Sequence, residues 1–183
     1  MSTKSALAIL LASSTGAMPL AAQANDGVIE ITGRIIATTC NVEGKPAGTG
    51  AARKNVTLGS ISAGALATAG ATAGDRGFAI RIGGNSECTD NVTAKLRFDP
   101  ASPLLDRTTG RLNIDDGADA ASNVQIQMTN PDGTPINMYT DDSQGVTIAG
   151  NAAEIGLVAR YYSLGGAKEG VAASRIGFQV VYE

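Results

Sequence analysis

The 183-residue chain has no histidine and no tryptophan, only 3 Phe and 4 Tyr, and just 2 Cys. Without histidine the usual zinc ligand and the usual general base are missing, which excludes Ser-His-Asp and Cys-His nucleophiles and most hydrolytic metal centres. Catalysis would have to rest on carboxylates, Lys or Tyr, yet no carboxylate pair, phosphate-cradling glycine loop or nucleophile elbow stands out. The chain is therefore read as a non-enzyme that needs no cofactor. Charge is also sparse: 14 Lys+Arg are scattered against 17 Asp+Glu, for a net charge of −3. Such a surface lacks the basic patch that phosphate backbones require, so nucleic acid is not an expected partner. What the chain does have is 23 Gly and a persistent two-residue alternation of apolar and polar side chains.

The first 24 residues follow the order of a secretory signal peptide. Lys4 is the positive start, Leu7, Ile9, Leu10 and Leu11 lie in the apolar stretch, and Ala22-Gln23-Ala24 is a small-x-small cleavage site. Ser13, Ser14, Thr15, Gly16 and Pro19 break the stretch short of the roughly 20 apolar residues that span a bilayer. Cleavage after Ala24 leaves a mature chain of 159 residues with no transmembrane segment. Export also accounts for the cysteines. Cys40 and Cys88 are the only pair, and in an oxidising compartment they are expected to form a structural disulfide rather than remain free thiols or half a metal site. Closing that loop is worth about 4 kcal/mol by chain entropy.

Strands are expected at 28–36, 56–58, 78–82, 92–98, 124–128, 155–162 and 176–182, where the alternation is clearest. Turn residues separate them: 41–50, Gly83-Gly84-Asn85, Asp115-Asp116-Gly117, Asn130-Pro131-Asp132-Gly133 and Gly165-Gly166. Short strands at this spacing predict an all-β sandwich. The Ala/Gly/Ser/Thr run at 61–74 is expected to be a loop with at most a turn or two of helix.

Both ends of the mature chain are unusual. Gly27, Ile29, Ile31 and Gly33 share one face of the first expected strand, and Val28, Glu30, Thr32 and Arg34 share the other. At the far end Ile176, Phe178, Val180 and Tyr182 share one face, opposite Arg175, Gly177, Gln179 and Glu183.

The run Gly27-Val-Ile-Glu-Ile-Thr-Gly33 leading into Cys40 resembles the N-terminal extension of the chaperone–usher fimbrial subunits of the type 1 pilin class. Val56-Thr57-Leu58-Gly59 is similar to their short early strand, 123–128 followed by Asp132-Gly133 to their central hairpin, and 157–162 to their penultimate strand. The C-terminus, with Gly170 fourteenth from the end, alternating Phe178 and Val180 and a penultimate Tyr182, is the most specific match.

This resemblance implies an incomplete immunoglobulin-like β-sandwich that lacks its final strand. A neighbouring subunit or a periplasmic chaperone would complete it by strand addition. It further implies a signal peptide at 1–24, a donor-strand extension at 25–39 and a pilin domain at 40–183. Asn25, Gly27, Ile29, Ile31 and Gly33 would be the inserting residues. The C-terminal strand with Gly170, Ile176, Phe178, Val180, Tyr182 and the Glu183 carboxylate would meet the chaperone. The expected function is a structural subunit of an adhesive surface fimbria, exported through the periplasm and polymerised at an outer-membrane usher with identical or related subunits. The alternative is a secreted carbohydrate-binding module or a minor or tip adhesin; a tip adhesin of this family carries a lectin domain ahead of its pilin domain, for which 159 residues leave no room.

Three further patterns have ordinary readings. Tyr161 and Tyr162 resemble a sugar-stacking pair, but neighbours on a strand face opposite ways, so one belongs to the core. Asp115, Asp116, Asp119, Asp141 and Asp142 lack the alternating ligands and closing Glu of a calcium loop and read as solvated turns, so no metal site is expected. The sequons at Asn55 and Asn91 are short enough to arise by chance.

Overall fold

The computed structural model describes residues 30–33, 35 and 39–183. The chain divides into two units, 1–36 and 37–183, and the fold is that of the second. Among the described residues, eight strands form two antiparallel sheets. They are β1 (Thr72–Gly83), β2 (Thr93–Phe98), β3 (Leu105–Asp106), β4 (Arg111–Asn113), β5 (Ser122–Thr129), β6 (Val146–Thr147), β7 (Ala152–Lys168) and β8 (Phe178–Tyr182). The larger sheet runs β1-β7-β5-β4-β3 and the smaller β6-β2-β8. The sheets pack face to face as an immunoglobulin-like sandwich.

Alternation places the core. Ile80 and Ile82 of β1, Ile155, Leu157 and Ala159 of β7, and Ile126 and Met128 of β5 meet Ala94, Leu96 and Phe98 of β2. Met138 and Ile148, both fully enclosed, come from the segments between β5 and β7. A Cys40–Cys88 disulfide with sulfurs 2.10 Å apart staples the start of this unit to the turn ahead of β2, as the export argument expects.

Several strands are longer or shorter than the alternation indicates. β1 begins at Thr72 because a bulge between Ala73 and Arg76 restores its register on β7 past Gly74, which has φ +74°. The run 61–74 holds a single 3₁₀ turn, Ala63–Leu66, with the Ser62 hydroxyl accepting from Gly64 N–H at 3.3 Å, and then feeds β1. β3, β4 and β6 are two or three residues long, too short for an alternating pattern to register.

Two expected strands differ. Residues 56–58 alternate in burial but pair with no described residue, so they are not a ladder strand. Of the strand expected at 28–36, the described residues 30–33 and 35 lie in no strand, and the others fall outside the description. Alternation chooses a face; a strand also needs a partner to take its hydrogen bonds.

Candidate functional site: an open edge of the sandwich

The segment 52–58 turns Ala52, Lys54, Val56 and Leu58 inward and Arg53, Asn55 and Thr57 outward. Among the described residues, no main-chain group of 52–61 makes a backbone hydrogen bond. Side chains hold the segment in place instead. Lys54 Nζ lies 3.1 Å from Glu43 Oε2, and Glu43 Oε1 accepts from Arg81 N–H at 2.8 Å, linking the segment to β1. Burial alone would raise the Glu43 carboxyl, but the Arg81 N–H and the Lys54 ammonium together hold it below the ordinary carboxylate range. Lys45 Nζ donates to the Ala51 carbonyl at 3.2 Å.

The chain from 172 to 182 forms the facing edge. It is bonded on one side only: Asp115 N–H donates to Ala173 O at 2.8 Å, Asp99 N–H to Gly177 O at 2.9 Å, and β8 pairs with β2 alone. Thr93 and Glu183 exchange both main-chain bonds, each 2.9 Å long. Antiparallel alternation from that pair leaves the main-chain groups of Phe178, Val180 and Tyr182 pointing away from β2, without partners among the described residues. Their side chains and that of Ile176 are half-buried against the core.

Between the two edges lies a groove of about 900 Å³. Val56, Leu58, Ile176, Phe178 and Val180 form its walls, and Ile80, Leu96, Phe98, Leu112, Ile126 and Leu157 its floor. An apolar trough bounded by two rows of unpaired N–H and C=O groups can do one thing well: accept an extended strand, whose backbone satisfies both rows and whose alternate side chains fill the floor.

The residues singled out from the sequence separate into groups. Ile176, Phe178 and Val180 line the groove; Tyr182 packs on the core beyond that lining, and burial raises its phenol. Glu183 lies outside the lining and pairs with Lys95 at 2.5 Å. Gly170 also lies away from the groove, and a side chain there would meet Ala121 N at 2.4 Å with φ at +152°, so this glycine permits a close backbone crossing. Ile31 is 91% exposed, Gly33 has open space around it, and Asn25, Gly27 and Ile29 lie outside the described residues. Alternation missed the Glu43–Lys54 tether and the role of 52–58 as a wall. The one available signal was a strand pattern at 56–58 with no evident hairpin partner.

Tyr161 belongs to the core and the groove floor, whereas the Arg111 guanidinium stacks over Tyr162 at 3.9 Å, so the two rings do face apart. Arg111 also donates to Gln125 Oε1 at 2.8 Å, and Gln125 in turn donates to Asp106 at 3.0 Å, holding the Asp106 carboxyl low. Asp115 pairs with Arg175, and Asp142 with Arg97 at 2.7 Å. Asn91 holds a left-handed φ of 63° ahead of β2, and Asn55 stands on the groove wall.

The fimbrial protein family model matches residues 29–180. The chain belongs to the fimbrial protein family. The major fimbrial subunit SMF-1 of Stenotrophomonas maltophilia is 35% identical over 91% of this chain and 98% of its own. Among solved structures, a chain of a chaperone–usher pilus aligns over 91% of this fimbrial protein and all of its own length, with TM-score 0.57 and 16% identity. The CupB6 tip adhesin of Pseudomonas aeruginosa aligns over 68% with TM-score 0.54 and 22% identity, but this chain spans only 35% of that protein. The chain is accordingly a structural pilus subunit with an immunoglobulin-like pilin fold. No helix among the described residues is long and apolar enough to cross a membrane.

Proposed function

We propose that this fimbrial subunit polymerises by strand exchange, its groove receiving the N-terminal extension of another subunit after a periplasmic chaperone has held it open. The observation that carries this reading is the apolar groove between two edges whose inward main-chain groups are unpaired. Residues 1–24 act as the export signal, 25–39 as the donor extension and 40–183 as the acceptor domain, delivered through an outer-membrane usher to the cell surface.

Ile29 and Ile31 each bury a full side chain on the groove floor, roughly 1.5–3 kcal/mol apiece. Gly27 and Gly33 let the backbone sit close where no side chain fits, and Asn25 meets the outermost part of the groove. The chaperone contacts the C-terminal edge through Ile176, Phe178, Val180 and Tyr182, with the Glu183 carboxylate and Gly170 marking its ends. Filling the groove removes an exposed apolar strand edge that otherwise promotes aggregation.

The test adds a synthetic 25–39 peptide to the full chain. A ligand at 100 times its Kd stabilises the folded state by about 2.7 kcal/mol, a rise in Tm of roughly 5–10 °C for a domain of this size. Ile31→Asp in the peptide should remove the effect, and Phe178→Asp in the chain should block chaperone capture. No thermal shift with the native peptide would show the sandwich to be complete in itself.

A further inference from the structure

The groove's walls carry four cations, Lys45, Arg53, Lys54 and Arg175, and no carboxylate. Two are neutralised in place: Lys54 by Glu43 at 3.1 Å and Arg175 by Asp115 at 2.5 Å. Lys45 and Arg53 form no salt bridge with any carboxylate among the described residues. Arg53 is exposed on the outward side of its wall, between the inward-turned Ala52 and Lys54. The groove therefore presents two uncompensated positive charges along the same wall.

The stretch of the extension ahead of Gly33 carries the opposite charge, and Arg34, on the same face, follows beyond it. Between Asn25 and Gly33 its only ionisable side chains are Asp26 and Glu30. Both have the parity of Val28 and Thr32, so a strand that turns Ile29 and Ile31 to the floor turns both acids outward to the rim. Four residues of extended chain separate them by about 13 Å.

We propose that Lys45 and Arg53 form an electrostatic rim selecting an extended strand with acids on its outward face, the occupant being the Asp26–Glu30 stretch of a second copy of this chain. This deepens the strand-exchange reading and rests on it. Apolar side chains in the floor cannot distinguish donors of similar shape. Rim charges can, because a cation in place of either acid faces like charge over the whole length of the wall. Being exposed, the pairs are screened by salt, so the selection is strongest at low ionic strength.

The test measures the affinity of two labelled 25–36 peptides, native and Asp26→Lys/Glu30→Lys, for the full chain and for its Arg53→Glu variant. At about 20 mM salt the reversed peptide should bind the native chain roughly tenfold more weakly, and near 1 M salt, where the Debye length is about 3 Å, the two should converge. Arg53→Glu should abolish most of the difference while binding the native peptide normally at high salt, which shows its groove intact. Equal affinities of the two peptides at low salt, with the native peptide bound, would overturn the rim proposal and leave strand exchange standing. Failure of both peptides to bind would remove both. A difference that survives Arg53→Glu unchanged would also overturn the assignment to this wall.

Discussion

β7 and the C-terminal edge carry the same alternation and reach different ends. β7 is bonded to β1 on one side and β5 on the other, and its inward residues Ala153, Ile155, Leu157 and Ala159 are all 9% exposed or less. Ile176, Phe178 and Val180 are as apolar and as regularly spaced, yet all three stay half-buried because β8 has a neighbour on one side only. Across the gap, Val56 and Leu58 are in the same condition. Periodicity selects the face a strand buries; a second neighbouring strand completes the burial. In this molecule the closed part supplies the stability, and under the strand-exchange proposal the open edge takes up another strand.

The sharpest way to probe the closed part is to cut its staple. Replacing both Cys40 and Cys88 with Ser should cost about 4 kcal/mol, a fall in Tm on the order of 10 °C measured by calorimetry. An unchanged Tm would mean that the start of the domain is held by packing alone. Ile155→Ala, at a site 1% exposed, should cost about 3 kcal/mol. Val56→Ala in the open wall should cost about 1 kcal/mol in the free chain, because that side chain is only half-buried. Equal costs in urea titrations would break the distinction between the two regions.

Gly170→Ala tests a glycine near neither centre. Its new methyl would press on the Ala121 backbone at 2.4 Å, so a loss of about 2 kcal/mol is expected, with affinity for the 25–39 peptide retained. Loss of peptide binding without loss of stability would return this residue to the groove's machinery.

Acid should loosen the open wall through its tether. Glu43, Asp106 and Asp142 all have carboxyls held below the ordinary range in the folded chain. Their stabilisation is therefore complete above about pH 4, the unfolded carboxylate value, and is lost as pH falls through the lower folded values. Glu43→Gln should flatten that acid limb and raise hydrogen exchange at 52–61 relative to β7. A variant whose acid limb matches the native one would show that the Lys54 pair does not hold the wall. The smallest effect belongs to Arg81→Ala, which removes an exposed pair with Glu154 and should change stability by under about 0.5 kcal/mol in urea titrations.

Much of this protein was legible in the residues themselves. A single cysteine pair behind an expected export signal forecast the disulfide, alternation located the cores of β1, β2, β5, β7 and β8, and the resemblance named the family whose model matches residues 29–180. These are local or compositional signals, and a local pattern is sufficient for them. β3, β4 and β6 stayed hidden because two or three residues cannot display a period, and the pairing of β6 with β2 joins Thr147 to Thr93, far apart in sequence. The tether from Glu43 to Lys54 and Arg81, the uncompensated charges of Lys45 and Arg53, and the crossing at Gly170 likewise depend on segments brought together only by the tertiary fold. The open edge shows the division most clearly. Sequence chose which side chains of 52–58 and 176–182 turn inward, since successive residues of an extended chain point to opposite faces. That no strand among the described residues lies between them was decided by the three-dimensional packing, because periodicity within a strand does not show whether a neighbour pairs with it.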